Sequence, residues 1–267
     1  METAGPSDVR WKAVALPAEH GGWGFLTEPA VLGLVLAPSA AGLCIALAAV
    51  AAFLARHPLR LALIDRRKGV RYPRTALAEH VFAAYAASAL ALAAAAFALA
   101  SSSFWLPLAV AGPIGLVALA FDARGRSREA LPEAAGAVAL GASTAAIALA
   151  GGASAAFAWG AWALLALRAV TSVLYVRARI RLDRGLAAGP RAVHAGHAAA
   201  FATATGLAIV GWAPMLAPVV FLVLLARSGW GLSRRRRPVR PQALGFQEVG
   251  YGLLTLALLA IGYRLGP

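Results

Sequence analysis

The stretch Ala55–Thr75, ARHPLRLALIDRRKGVRYPRT, decides how the rest of the chain is read. It crowds Arg56, His57, Arg60, Asp65, Arg66, Arg67, Lys68, Arg71 and Arg74 between two long apolar runs. Runs of that length cross a bilayer as helices, because in hydrocarbon only a helix or a closed barrel satisfies every backbone polar group. The charged stretch is then a loop at a membrane face. Charge at the mouth of a membrane helix either anchors the helix to headgroups or builds a site.

Working outward, the whole chain repeats this pattern. Of its 267 residues, 61% are hydrophobic and 13% charged, about half the charge of a soluble domain. Abundant Ala and Gly suit close helix packing in a membrane. The single cysteine, Cys44, lies in an apolar run and excludes a disulfide framework. The first 20 residues carry Glu2, Asp8, Arg10, Lys12 and Glu19 without an apolar core of signal-peptide length. No cleaved signal is expected. Residues 1–21 read as a cytoplasmic segment and 22–267 as one transmembrane domain.

The expected fold is an all-α, polytopic helical bundle of about nine transmembrane helices. They run over roughly 22–38, 40–57, 80–100, 103–121, 133–151, 155–176, 195–212, 214–228 and 244–263. Nine crossings place the loops at roughly 58–79, 122–132, 177–194 and 229–243 on the N-terminal side. Of the 25 Lys and Arg, Arg264 alone falls opposite and Arg168 falls within a span. That asymmetry makes the basic face cytoplasmic and puts the C-terminus outside. The expected location is a bacterial plasma membrane. Net charge +14 therefore serves membrane topology, and no nucleic-acid partner is expected. Trp23, Trp105, Trp159, Trp162, Trp212 and Trp230 fall near helix ends, as interfacial belts do.

Several polar residues are candidates for chemistry. Glu28 is predicted inside the first span, where a carboxylate is costly and marks a site by default, or else pairs with an arginine to lock the bundle. Glu19 and His20 form either a proton-transfer or headgroup-binding pair or a solvated helix start. Arg56 and Arg60 share a face if the helix continues past Pro58, which either kinks it or ends it. His57 is either a catalytic base or a structural hydrogen-bonder. Arg66, Arg67 and Lys68 read as headgroup anchors. In the sixth span Arg168, Ser172, Tyr175 and Arg179 follow three/four spacing, as do Arg177 and Arg181. Arg168 lies about 13 Å deeper than Arg177 at the helical rise. It demands either an anionic ligand or polar cavity, or a buried pair with Glu28 or Glu133. Capping accounts for Glu133, and Glu248 suits the positive end of the last helix. His194 and His197 lack further ligands at metal spacing, so no metal site is expected there. The run Ser233–Arg240 is a polybasic segment suited to anionic headgroups.

Three motifs, EHGGWG at 19–24, RHPL at 56–59 and VRARIRLDR at 176–184, resemble the YwiC-like membrane protein family. That resemblance supplies a label and no reaction. More distantly, the opening pair of spans (28–55), the segment Phe121–Gly152 and the segment Ser172–Gly185 resemble the UbiA superfamily of intramembrane prenyltransferases. This implies a UbiA-like bundle and a prenyl diphosphate held through Mg²⁺ by two clusters of Asp and Asn. Here Asp65 with Gly69-Val70 matches one such position, but the next acidic position is Arg71. Asp183 matches the end of the second cluster, but Arg177, Arg179 and Arg181 precede it. Oxygen-rich Mg²⁺ coordination is therefore not expected, and no cofactor is implied.

These readings leave three functions open. One is a metal-independent, UbiA-like transferase. In it Arg56, Arg60, Arg168, Arg177 and Arg181 converge on a cytoplasm-facing cavity, with Asp65, Ser172 and Tyr175 alongside and His57 or Glu28 handling protons. The second is a non-catalytic binder of an anionic isoprenoid, quinone precursor or lipid. The third is a small-anion transporter. Membrane lipids are the expected partners in all three.

Overall fold

The computed structural model of the protein describes residues 11–16, 22–100, 102–126 and 128–266. These residues form ten α-helices: α1 (Trp11–Ala15), α2 (Gly22–Leu36), α3 (Ala40–Arg67), α4 (Pro73–Leu99), α5 (Trp105–Asp122), α6 (Ala130–Ala150), α7 (Ala155–Asp183), α8 (Pro190–Ile209), α9 (Ala217–Gly231) and α10 (Pro241–Leu265). Helices α2–α10 fall on the nine segments expected from the hydropathy pattern. Six of them, α3, α4, α5, α6, α7 and α10, are long and apolar enough to cross a membrane. The apolar α2 and α9 have 15 residues each. At 1.5 Å per residue that is about 22 Å, short of a hydrocarbon core of about 30 Å.

The charged stretch that opened the reading is mostly helix. Pro58 does not end α3, which continues to Arg67. The loss of one backbone N–H is offset because the extension is amphipathic. Ala55, Pro58, Ala62 and Asp65 are buried at three/four spacing, while Arg66 and Arg67 face outward. The turn is only residues 68–72, with Gly69 at φ +67°, a left-handed stop that glycine adopts without steric cost. Pro73 then opens α4, where a missing N–H costs nothing. Helix α7 likewise outruns its apolar run and reaches Asp183. With 28 and 29 residues, α3 and α7 are about 42–44 Å long. That length exceeds a hydrocarbon core of about 30 Å.

Helix α3 packs along α4, and α5, α6 and α7 pack in sequence. Helix α2 lies in the middle, against α6, α10, α3 and α7. Alanine and glycine make these approaches possible. Gly33 of α2 faces Ile147 and Thr144 of α6, and Thr144 donates to Pro29 O at 2.8 Å. The largest apolar cluster joins α2, α7, α8, α9 and α10 through Leu32, Leu164, Ala204, Phe221 and Leu259. A smaller one joins α7, α8 and α10 through Tyr175, Ala178, Val193 and Leu244. Trp162 is buried and donates to Val138 O at 2.9 Å, so it packs α7 on α6 instead of joining an interfacial belt.

The tightest approach predicts a large effect. A methyl on Gly160 would sit 1.8 Å from the carbonyl oxygen of Trp212, in the turn before α9. Gly160→Ala should cost about 1–3 kcal/mol, seen as a lower thermal midpoint of the detergent-purified protein. Gly229→Ala, with open space around its Cβ, should not lower it.

Candidate functional site

Five helices place polar side chains at one level between the two apolar clusters just described. Along α7 the order is Leu164 and Leu165, then Arg168 and Ser172, then Tyr175 and Ala178. Along α9 it is Phe221 and Leu224, then Arg227 and Ser228, followed by Leu232 just beyond the helix. Helix α8 contributes His197 between Val193 and Ala200, α10 contributes Glu248 and Tyr251, and α2 contributes Glu28 above Leu32. Arg168 is about 20 Å from either end of α7. The layer therefore lies deep in the bundle.

Its charges are paired. Arg168 Nη1 meets Glu28 Oε2 at 2.9 Å, and Arg168 Nη2 donates to the backbone oxygen of Glu248 at 3.2 Å. Arg227 Nη1 donates to Glu248 Oε1 at 2.6 Å. The Arg227 guanidinium also lies over two rings, Tyr175 at 4.2 Å and Tyr251 at 4.8 Å, which favours a desolvated cation. Glu248 thus links the two arginines, one through its main chain and one through its side chain. Gly252 makes room: a Cβ there would lie 2.1 Å from Glu28 Oε1 and 2.8 Å from Arg168 Nη2.

The pairing is incomplete. Among the described residues, Arg168 Nε, Arg227 Nε, Arg227 Nη2 and Ser172 Oγ are buried donors without an acceptor. Glu248 Oε2 and His197 Nε2 are buried without a partner as well. His197 Nδ1 contacts Val193 O at 2.9 Å. A carbonyl can only accept, so Nδ1 carries the hydrogen of that bond. Buried polar atoms of this kind call for ordered water or a ligand.

The sequence-predicted site residues separate into several groups. Glu28, Arg168, Ser172 and Tyr175 come together in the layer. Of the two partners considered for Arg168, Glu28 is the one it meets. The other arginines do not converge with it. Arg56 Nε and Arg60 Nε reach Asp122 of α5, at 2.6 and 3.8 Å. Arg177 meets Glu133 at 3.3 Å and Arg128 O at 2.8 Å, and Arg181 donates to Ala187 O at 2.6 Å. These groups lie on different contacts, so the single cavity lined by all five is not formed. His57 Nε2 bonds Ala13 O at 3.1 Å, tying α1 to α3. Glu19 and His20 lie outside the described residues.

The two aspartates at the positions of the metal-binding clusters are held by cations. Arg74 clamps Asp65 at 2.8 and 3.2 Å, with Thr75 adding a third bond. Asp183 takes Arg179 at 3.0 Å and Arg236 at 3.2 Å. Their oxygens are thereby committed to guanidinium groups. Arg236 turns inward, which removes it from the headgroup-facing run expected over 233–240.

Arg227, His197 and Tyr251 were not singled out as site residues, and Glu248 was read only as a helix-end residue. The available signal was one of charge balance. Arg227 ends an apolar run and Glu248 sits a full two turns inside α10, so each needs a partner of opposite sign.

A helical membrane protein with a buried polar layer is the class these features define. The chain belongs to the YwiC-like family: the profile of the YwiC-like protein matches residues 16–150, just over half its length. That match covers Glu28 and the α3 arginines, while Arg168, Arg227 and Glu248 lie beyond it. No curated protein and no solved structure matches the chain.

Breaking the Arg227–Glu248 pair should cost more than removing it. Arg227→Met leaves a buried carboxylate unpaired and should destabilise by about 3–5 kcal/mol. Arg227→Met combined with Glu248→Leu should recover much of that loss in thermal denaturation of the detergent-purified protein.

Proposed function

We propose that this membrane protein binds an anionic ligand at the Arg168–Arg227 layer, the ligand being a carboxylate or phosphate carried by an isoprenoid, quinone precursor or lipid. One observation carries the reading: among the described residues, three guanidinium nitrogens and a hydroxyl are buried there as donors without acceptors. Guanidinium forks match the geometry of carboxylate and phosphate oxygens. In a low-dielectric surround such donors are costly until an acceptor fills them.

A bundle of nine crossings, as in the UbiA-like arrangement, with a cytoplasmic N-terminus and an external C-terminus, accompanies this reading. Helices α2–α10 in their expected order and the one-sided basic loops support it. Metal-assisted diphosphate chemistry is not part of the proposal, because Asp65 and Asp183 are engaged by arginines. Nor is a metal-free transferase centred on Arg56, Arg60 and His57, since those residues serve contacts between helices.

A second reading, passage of a small anion across the membrane, is favoured by the depth of the layer. Flux of an anion into proteoliposomes that falls on Arg168→Ala would select it; unchanged flux removes it.

Native mass spectrometry of the purified protein tests binding. The wild type should retain an anionic amphiphile. The charge-balanced variant Arg227→Met/Glu248→Leu should retain it about tenfold less, which corresponds to about 1.4 kcal/mol of affinity. Equal retention by both proteins would overturn the reading.

A further inference from the structure

We infer that an anion enters the Arg168–Arg227 layer together with a proton, which is taken up by Glu28. The inference rests on the binding reading above and goes beyond it, because it makes the layer a proton-linked site.

The reason is charge balance. Among the described residues the layer holds two arginines, Arg168 and Arg227, and two carboxylates, Glu28 and Glu248, which cancel. Both arginine side chains are almost fully buried, and the carboxylates are only slightly more open, at 13% for Glu28 and 17% for Glu248. A monoanion added to this neutral layer leaves one unbalanced negative charge away from water, which is strongly unfavourable. One proton on a carboxylate restores neutrality. It also frees the guanidinium that the carboxylate had occupied.

Geometry selects Glu28 as the acceptor of that proton. Its contact to Arg168 is the longer of the two, 2.9 Å against 2.6 Å for Glu248 to Arg227, whose guanidinium also lies over two tyrosine rings. The groups facing Glu28 are Arg168 of α7 and Glu248 of α10. Arg227 of α9, Tyr175 of α7, Tyr251 of α10 and His197 of α8 stand behind them in the same layer. On its other side α2 meets α6 through Thr144 and Ile147, and α3 through Phe53.

A proton from solvent bonds to the Glu28 carboxylate, and the Arg168 Nη1–Glu28 Oε2 contact breaks. The anion's oxygens then accept from Arg168 Nη1 and Nε and from Arg227 Nε and Nη2. The summed charge of the layer stays at zero before and after.

The test uses the full-length protein in nanodiscs of zwitterionic lipid, with acetate as a soluble carboxylate and decanoate as an amphiphilic one. The variant Arg227→Met/Glu248→Leu serves as the weaker-binding comparison. Binding and proton uptake are read together by calorimetry in buffers of different ionisation enthalpy. Uptake approaching one proton per carboxylate bound is expected, with affinity falling about tenfold for each unit rise in pH. Decanoate binding without acetate binding assigns the ligand to the lipid phase; equal binding of both assigns it to the aqueous phase. The linkage stands in either case. Glu28→Gln should bind without proton uptake and without pH dependence, because the amide is neutral throughout. Wild-type binding with no proton uptake would overturn the linkage while leaving the binding reading intact. Failure of both carboxylates to bind at any pH would overturn the reading itself. Proton uptake that persists unchanged in Glu28→Gln would overturn the assignment to Glu28.

Discussion

The contact between Arg168 and Glu28 is the constraint around which the bundle is arranged. The Arg168 guanidinium, near the middle of α7, is almost fully buried. It must be met inside the protein, and Glu28 meets it from α2. That requirement draws α2 towards the middle of the molecule. It also requires a glycine on α10, because a methyl at Gly252 would occupy the position of the Glu28 carboxylate. Glu248, four residues before that glycine, then accepts from Arg168 with its backbone and from Arg227 with its side chain. One buried charge thus fixes the mutual placement of α2, α7, α9 and α10.

The charges at the helix ends obey a different rule. Arg66 and Arg71 share Glu79, both guanidinium groups being largely exposed, and pairs of that kind contribute little. Asp65 and Asp183 are more enclosed. Each is held by an arginine close along the chain, and Asp183 by a second one from the loop before α10. These contacts staple the ends of α3 and α7 beyond the apolar layer. Their satisfied geometry contrasts with the interior layer, where buried donors outnumber the acceptors offered to them.

Family membership rests on the first half of the chain, which supplies Glu28 and the α3 hairpin. The remaining members of the polar layer come from α7 to α10. The layer is therefore assembled by folding across the length of the molecule, and neither half holds a balanced set of charges alone.

The helical class and the order of the apolar segments are legible in the sequence, because apolar run length and turn residues act locally. The sequence also determined that Glu28 and Arg168 need partners, because hydrocarbon leaves an ionised group no other choice. It did not determine where α3 and α7 end, since Asp65 and Asp183 look like loop charges until arginines cover them. Packing between helices, which leaves no trace in the sequence, brings Arg168 and Arg227 into one layer. Arg56, Arg60, Arg177 and Arg181 are indistinguishable from Arg168 as side chains, and what separates them is where the fold places them: Arg168 is almost fully buried among the helices, whereas the others are at least partly exposed. Arg227 and Glu248 entered the layer for the same reason. They lie 21 residues apart in sequence at 2.6 Å in space, and a pairing between helices leaves no local pattern in the chain.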